Sequence, residues 1–189
     1  VGMPETDPLP DSAKVTYVGA ILWQTARAQM PGWFDSLSRE KPVVWVYSGN
    51  PRYMPVPNPL DGESILRSCI QALGDEDLQV VLTTGHHALP RQFLPLPKNF
   101  RYITYIPGLA MAERSDLLIH HGGYGSCQTG LYTGTPAVII PTYSERESNA
   151  RRVAAVGAGE FLIPGGHPFG PLIGKWGVRA EDLRAKVCQ

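Results

Sequence analysis

The segment 116–152 constrains the fold more than any other part of the 189-residue sequence. An apolar run at 117–119 predicts a buried strand, and a glycine-rich turn that opens with His120 and His121 follows it. A short helix, a second apolar run at 137–140 and another helix complete the segment. A strand that turns through glycines into a helix leaves the first N–H groups of that helix without internal acceptors. Such a helix start is suited to an anion, phosphate above all.

Apolar runs alternate with helix-forming segments along most of the chain. Strands are predicted at 15–18, 43–47, 78–82, 101–105, 117–119, 137–140 and 161–163. Helices are predicted at 32–37, from an Asp61 cap to Leu73, at 110–114, after Gly125, at 145–156 and at 179–187. This alternation predicts an α/β fold, a Rossmann-like doubly wound parallel sheet with helices on both faces. Ligands of such sheets bind at the carboxyl ends of the strands, near the loops 48–50, 84–87, 105–108, 120–126 and 141–149.

Composition narrows the possible functions further. There are 17 basic and 17 acidic side chains, so a nucleic-acid partner is not expected. The 3 cysteines are widely spaced and odd in number, which favours free thiols in a reducing compartment. No apolar run has the length of a membrane span and no signal peptide is visible, so a cytoplasmic location is predicted.

The turn 121–126 contains the groups that most clearly indicate a binding site. His121 supplies an imidazole, Ser126 a hydroxyl, and the turn backbone N–H groups, all of which can donate hydrogen bonds to a diphosphate. The alternative is a tight strand-to-helix turn in which Ser126 only caps the helix. A nicotinamide or flavin site is disfavoured, because Gln128 stands at the last glycine of the dinucleotide fingerprint and no acidic residue closes the next strand.

Two histidine pairs and one polar segment need separate interpretation. The pairs at 86–87 and 120–121 each supply at most one ligand to a given site, because adjacent residues of an extended segment point to opposite sides. No clear acidic partner accompanies them, so no metal site is predicted. The segment 145–149 either places acidic residues at a helix start or presents donors and acceptors to sugar hydroxyls.

Several short motifs, in their order along the chain, resemble the donor-binding domain of GT-B glycosyltransferases. The resemblance is strongest to the family that includes macrolide, antibiotic and UDP-dependent glycosyltransferases. It rests on His121-Gly122-Gly123-Tyr124-Gly125-Ser126, Gly134-Thr135-Pro136, Pro141, Glu145-Arg146 and Asn149-Ala150, with looser matches at 10–19, Trp33, 42–50 and Tyr105-Ile106-Pro107.

The resemblance implies a domain that binds a nucleotide-sugar donor. The parent enzyme would transfer a hexose from a UDP or dTDP sugar to a hydroxyl of a small molecule or lipid, with inversion and without metal or other cofactor. Residues 1–20 would form an interdomain-type linker and a first short strand, and residues 21–189 the donor domain. The acceptor site and the catalytic base would belong to an N-terminal domain or partner subunit, so no catalytic residue is expected here. Membrane association of the parent stays open.

The resemblance also implies roles for particular residues. Tyr105 would stack on the nucleotide base and the Ile106 backbone would contact the base edge, whereas Glu145 would contact sugar hydroxyls. Residues expected at the diphosphate are His121, Gly122, Gly123, Gly125, Ser126, Ser48 and Gly49. Residues expected at the base and ribose are Tyr105, Ile106, Thr84, Gly85 and Thr129, and those at the sugar are Glu145 and Arg146.

Three positions depart from the family pattern. Thr129 stands where the family has a ribose-binding glutamate, Gly108 at a base-contacting glutamine, and Arg146 at a sugar-binding glutamine. Arg146 could instead contact the diphosphate or pair with a neighbouring glutamate. Three alternatives therefore stay open: a subunit of a split transferase, a sugar-nucleotide epimerase-like enzyme, and a non-catalytic nucleotide-sugar-binding module.

Overall fold

The computed structural model describes residues 14, 16, 18–22, 29–49, 62–142, 145–165 and 177–188. Most of the predicted linker lies outside these residues, as do Asn50, the Asp61 cap and the tail histidine His167. Of the strand predicted at 15–18 only Thr16 and Val18 are described, and neither belongs to a strand.

Six parallel strands form one sheet in the order β3-β2-β1-β4-β5-β6. The strand order reverses between β1 and β4, so the predicted doubly wound sheet is confirmed. The strands are β1 (Val43–Tyr47), β2 (Gln79–Thr83), β3 (Phe100–Ile103), β4 (Leu117–His120), β5 (Ala137–Ile139) and β6 (Gly159–Phe161).

Helices connect these strands and follow β6. They are α1 (Gly62–Leu73), α2 (Gly108–Arg114), α3 (Tyr124–Thr133), α4 (Arg146–Ala155) and α5 (Ala180–Val187). The short helix predicted at 32–37 is only a 3-10 turn at Phe34–Ser36, and another 3-10 turn covers Arg91–Phe93.

One face of the sheet is covered mainly by α1 and α5. The apolar stripe of α1 puts Ile65, Leu66 and Cys69 into a buried cluster with Val44 and Val46 of β1. Burying a side chain of this size contributes roughly 1.5–3 kcal/mol, so the stripe accounts for the position of α1. The helix predicted from this periodicity is confirmed.

The opposite face of β1 packs against the segment 29–37 and α2. Val43, Ile106 and Met111 are buried there beside the half-buried Trp45. Arg114 fixes this layer, because its Nη2 donates to the carbonyl oxygens of Leu37 at 2.8 Å and Ser38 at 2.7 Å. The central strands are therefore covered on both faces, as a parallel sheet requires.

The last strand lies two residues earlier than predicted. The apolar run at 161–163 indicated the strand, but β6 pairs Gly159 with Ala137 and Phe161 with Ile139. A Cβ at position 159 would lie 2.2 Å from the Ala137 carbonyl oxygen, so this close pairing requires glycine. Hydropathy does not report such a backbone approach, and the strand prediction was shifted for that reason.

Candidate functional site

A cleft of about 560 Å³ opens at the carboxyl ends of the central strands. Its floor includes Trp45 and Tyr47 of β1 and His120 of β4, with His121 immediately after that strand. The cleft therefore lies where the strand order reverses, which is the usual ligand position in a doubly wound sheet.

The glycine-rich turn between β4 and α3 forms one wall. Gly122 has φ +85°, a conformation that disfavours side chains, and a Cβ there would lie 2.9 Å from the Arg146 carbonyl oxygen. Asn149 of α4 is buried, and its Nδ2 donates to the Gly122 carbonyl oxygen at 3.0 Å. The start of α4 therefore holds the turn in place from behind.

The start of α3 faces the cleft with unused donors. Gly123 is the N-cap, and its carbonyl oxygen accepts hydrogen bonds from the N–H groups of Ser126 and Cys127, both at 3.1 Å. In the described part of the chain no acceptor is recorded for the N–H groups of Tyr124 and Gly125. The N-cap position of α3 belongs to Gly123, and Ser126 lies within the first turn of the helix. Ser126 also lines the cleft.

His120 is fully buried at the end of β4. Its Nδ1 accepts a hydrogen bond from the Gly122 N–H at 3.1 Å, so the proton of the neutral ring lies on Nε2. This Nε2 has no partner among the described residues. Burial lowers the pKa of His120 to about 4, so the ring is neutral at pH 7. The site thus contains a buried N–H donor whose acceptor is not in the described protein.

His121 is also buried and lies between the two glycines of neighbouring loops. A Cβ at Gly49 would lie 3.1 Å from its Nδ1, and a Cβ at Gly123 would lie 2.5 Å from its Nε2. The Tyr47 ring contacts it at a centroid distance of 5.4 Å in an edge-on arrangement. These contacts fix the ring plane, and the Nδ1 atom has no hydrogen-bond partner among the described residues.

The electrostatic surroundings keep His121 uncharged. Burial is the main cause that holds its pKa well below 6.5, and the positive charges of Arg146 and of a protonated His120 act in the same direction. A hydrogen bond with the Tyr47 backbone opposes these effects. His121 therefore acts at neutral pH as a neutral hydrogen-bonding group and not as a cation.

The opposite end of the cleft is aromatic. The Tyr105 and His86 rings stack with centroids 4.4 Å apart and planes 11° apart. Ile106 and Gly85 line the same end, and Gly85 has φ +62°. Thr129, at the α3 side, also lines the cleft, but its hydroxyl donates to the Gly125 carbonyl oxygen at 2.9 Å.

Several residues predicted for the site lie behind the cleft or beside it. Ser48 is buried and its N–H donates to the Thr83 carbonyl oxygen at 3.3 Å. The Thr84 hydroxyl is buried and donates to the His87 carbonyl oxygen, within the loop itself. The cleft lining does not include these residues or Gly49, Gly122, Glu145 and Arg146. Gly49 and Gly122 shape the site through the close approaches described above.

The predicted sugar contacts lie at the start of α4. Arg146 is half-buried and its Nη1 donates to the hydroxyl of Thr142, a residue that follows β5. Glu145 is the N-cap of α4 and is exposed. The structure places both residues next to the glycine-rich turn rather than in the cleft, and their sugar-binding role stays a prediction.

Sequence reasoning missed three cleft residues with aromatic rings. Trp45 and Tyr47 were assigned only to a buried strand, and His86 was placed in the ligand loop 84–87 without a role of its own. The Trp45 Nε1–H donates to the Thr83 hydroxyl at 2.9 Å, which orients the indole at the base of the cleft. The period of two along β1 was the available signal, because it places Trp45 and Tyr47 on one face.

Metal coordination and membrane insertion are two further possibilities. Within the described ranges no group of three or more His, Cys, Asp or Glu side chains could hold a metal ion. No helix of the described residues is long and apolar enough to cross a bilayer.

Comparison with known proteins identifies the family. The sequence model described as "Erythromycin biosynthesis protein CIII-like, C-terminal domain" matches residues 67–167, more than half of the chain. The chain belongs to this family. The resemblance to the C-terminal domains of macrolide and antibiotic glycosyltransferases is therefore confirmed, and the matched segment includes the glycine-rich turn and the start of α4.

Individual relatives agree with this family. The 4'-demethylrebeccamycin synthase of Lentzea aerocolonigenes is 37% identical over 132 residues, which cover 70% of this chain and 29% of that protein. The NDP-glycosyltransferase YjiC of Bacillus licheniformis is 38% identical over 96 residues, covering 51% of this chain and 24% of that protein. The crystal structure of the glycosyltransferase SnogD from Streptomyces nogalater superposes with a TM-score of 0.61 at 27% identity, covering 75% of this chain and 36% of SnogD.

These relatives are much longer than this chain. The chain spans 29% of the synthase, 24% of YjiC and 36% of SnogD. Its length relative to theirs agrees with the C-terminal domain that the family describes.

Proposed function

We propose that this chain is the donor-binding domain of an inverting glycosyltransferase that takes a hexose from a UDP or dTDP sugar. The parent enzyme would transfer it to a hydroxyl of a small molecule or lipid. One observation carries the proposal: buried, neutral histidines and the unused N–H groups of α3 converge on one cleft at the strand-order reversal. A diphosphate is the ligand that needs such a set of donors.

The chemistry that follows is stabilisation of the leaving diphosphate. Negative charge grows on the diphosphate as the bond from the sugar breaks, and the positive end of the α3 dipole lies at Gly123–Gly125. The buried, neutral His121 ring, held between Gly49 and Gly123, adds a polar group that would hydrogen-bond to the diphosphate. Donors that are already oriented stabilise charge without reorganisation, so no divalent ion is required.

The remaining parts of the proposal concern the rest of the donor. Tyr105 and the Ile106 backbone would form the base end, with Gly85 and Thr129 around the ribose. Thr84 would act from behind the cleft, because it is buried and bonded within its own loop. Glu145 would accept hydrogen bonds from sugar hydroxyls at the start of α4. The catalytic base and the acceptor site would come from an N-terminal domain or a partner subunit.

Calorimetric titration of the 189-residue chain with UDP, dTDP, GDP and inorganic pyrophosphate tests this proposal. We expect UDP and dTDP to bind, pyrophosphate to bind more weakly, and EDTA to leave all affinities unchanged. No binding by any of these compounds would refute the donor-site proposal. Binding that requires a divalent ion would instead contradict the proposed role of the α3 dipole.

The variant His121→Phe tests the proposed donor group directly. Phenylalanine keeps a ring between Gly49 and Gly123 but removes both nitrogens, so packing is largely retained. Loss of a hydrogen bond to a charged group costs about 1.5–3 kcal/mol, so pyrophosphate and UDP should bind roughly ten- to 100-fold more weakly. His87→Phe makes the same exchange outside the cleft and should not change either affinity. Unchanged affinity in His121→Phe would assign the diphosphate contacts to other groups.

A further inference from the structure

The stacking of His86 on Tyr105 gives His86 a position in the cleft for which no role has yet been assigned. His86 follows β2 and Tyr105 follows β3, so two loops of the sheet each contribute one ring to the same end of the cleft. The centroid distance of 4.4 Å and the interplanar angle of 11° describe a close parallel stack. No metal role accounts for His86, because it belongs to no metal-ligating cluster in the described chain.

Backbone conformation and hydrogen bonds fix the position of the His86 ring. His86 has φ +76°, a region that few residues other than glycine occupy, and its N–H donates to the Thr104 carbonyl oxygen at 2.9 Å. The next carbonyl, that of His87, accepts a hydrogen bond from the Tyr102 hydroxyl at 2.7 Å. The loop is therefore tied to β3 on both sides of the ring, and the ring position follows from these bonds.

The stack has one ring more exposed than the other. Tyr105 is half-buried and has His86 against one face, whereas His86 itself is exposed at the cleft. His86 occupies one face of the Tyr105 ring, so that face is not open to a base, whereas the exposed imidazole lines the cleft. Aromatic faces bind bases with little dependence on the base, because every base has a π-face.

We propose that His86 is the ring on which the nucleobase of the donor stacks, with Tyr105 as the positioning residue that supports it. This rests on the proposed function, because it specifies the base end of the same donor site. It also predicts that UDP and dTDP bind with similar affinity, since stacking on an imidazole does not distinguish uracil from thymine.

Four variants of the 189-residue chain test the proposal: His86→Asn, His86→Phe, His87→Asn and Tyr105→Ala. His86→Asn removes the ring but keeps a residue that tolerates positive φ, so the loop is retained. His86→Phe restores a ring, and His87→Asn is the matched control outside the stack. Affinities for UDP, dTDP and inorganic pyrophosphate are measured by calorimetry, and near-ultraviolet circular dichroism reports whether each variant keeps its tertiary structure.

The expected pattern separates the base end from the diphosphate end. His86→Asn should bind UDP and dTDP about five- to 150-fold more weakly, the range for loss of one stacked base, with pyrophosphate affinity unchanged. His86→Phe should recover most of the loss, and His87→Asn should match the unmodified chain. Rescue by a ring without nitrogen would show that stacking, rather than a hydrogen bond or a loop effect, is responsible.

Two other results would overturn the proposed role of His86 but leave the proposed donor site intact. Unchanged UDP affinity in His86→Asn, together with a loss in Tyr105→Ala, would place the base on Tyr105 itself. Tighter UDP binding in His86→Asn would show that the imidazole covers the base position and must be displaced. In both cases pyrophosphate and UDP still bind the unmodified chain, whereas failure of the proposed function would abolish binding of both.

Discussion

Replacing Asn149 by alanine tests how the glycine-rich turn is held. Asn149 is 4% exposed, and its Nδ2 donates to the Gly122 carbonyl oxygen at 3.0 Å across the contact between α4 and the turn. Gly122 is itself buried, so the substitution leaves its carbonyl without this donor. An unsatisfied buried acceptor costs about 1–3 kcal/mol. Alanine gains at most about 0.7 kcal/mol of helix propensity over asparagine.

The expected net loss of unfolding free energy is therefore roughly 0.5–2.5 kcal/mol. For a domain of this size the loss corresponds to a decrease in Tm of about 1–10 °C. Urea unfolding followed by far-ultraviolet circular dichroism measures the free energy, and a thermal scan measures Tm. Pyrophosphate affinity should fall in parallel, because the turn that carries the α3 donors loses its support.

Ser148→Ala is the matched control for this prediction. Ser148 precedes Asn149 on α4, is exposed, and accepts a surface hydrogen bond from Arg152 at 2.6 Å. It gains similar helix propensity, so its unfolding free energy should stay within about 0.5 kcal/mol of the unmodified chain. Asn149→Asp, which keeps the shape but loses the donor, should be at least as destabilising as alanine. Equal urea midpoints for Asn149→Ala and Ser148→Ala would refute the reasoning.

Two further substitutions address the turn and the buried histidines. Gly122→Ala should destabilise by about 2 kcal/mol or more, because φ is +85° and the new Cβ would lie 2.9 Å from the Arg146 carbonyl oxygen. Gly125→Ala, whose Cβ meets nothing within 4 Å, should not destabilise in the same urea assay, and equal losses would contradict the argument. His120 has a folded pKa of about 4 against 6.5 when unfolded, so the unfolded state binds more protons between these values. Its contribution is complete above pH 6.5 and is lost as pH falls towards 4, about 3 kcal/mol in total. Urea unfolding from pH 7 to pH 4 should show this loss, and His120→Gln should reduce the slope; an unchanged slope would assign the acid sensitivity elsewhere.

The central strands could be predicted from sequence because both of their faces are buried. The run Val43–Tyr47 is apolar throughout, and the strand has the bounds that this pattern predicts. The strand at the edge of the sheet could not be predicted as accurately. β6 begins at Gly159, where the chain approaches the Ala137 carbonyl, and a contact between two backbones leaves no hydropathy pattern.

The part of the candidate site that could be predicted from sequence is the part formed by backbone groups. Glycines followed by a helix indicated the turn at the wall of the cleft, because positive φ and unused N–H groups are local properties. The aromatic end depends on how two loops meet, so the stack of His86 on Tyr105 could not be predicted from either segment alone. For the same reason the sequence did not show that Glu145 and Arg146 lie beside the cleft rather than in it.

The pairing of Tyr47 with His120 has a consequence for folding. The two residues are distant in the chain, and each belongs to a strand with neighbours on both sides. The pair forms only after the chain between the two strands has folded, so the end of the cleft at which we propose diphosphate binding exists only in the assembled sheet. Backbone amides of β1 and β4 should therefore be among the slowest to exchange with deuterium. A nucleotide that bound at this end of the cleft would bind only fully folded molecules. It would therefore raise the unfolding midpoint.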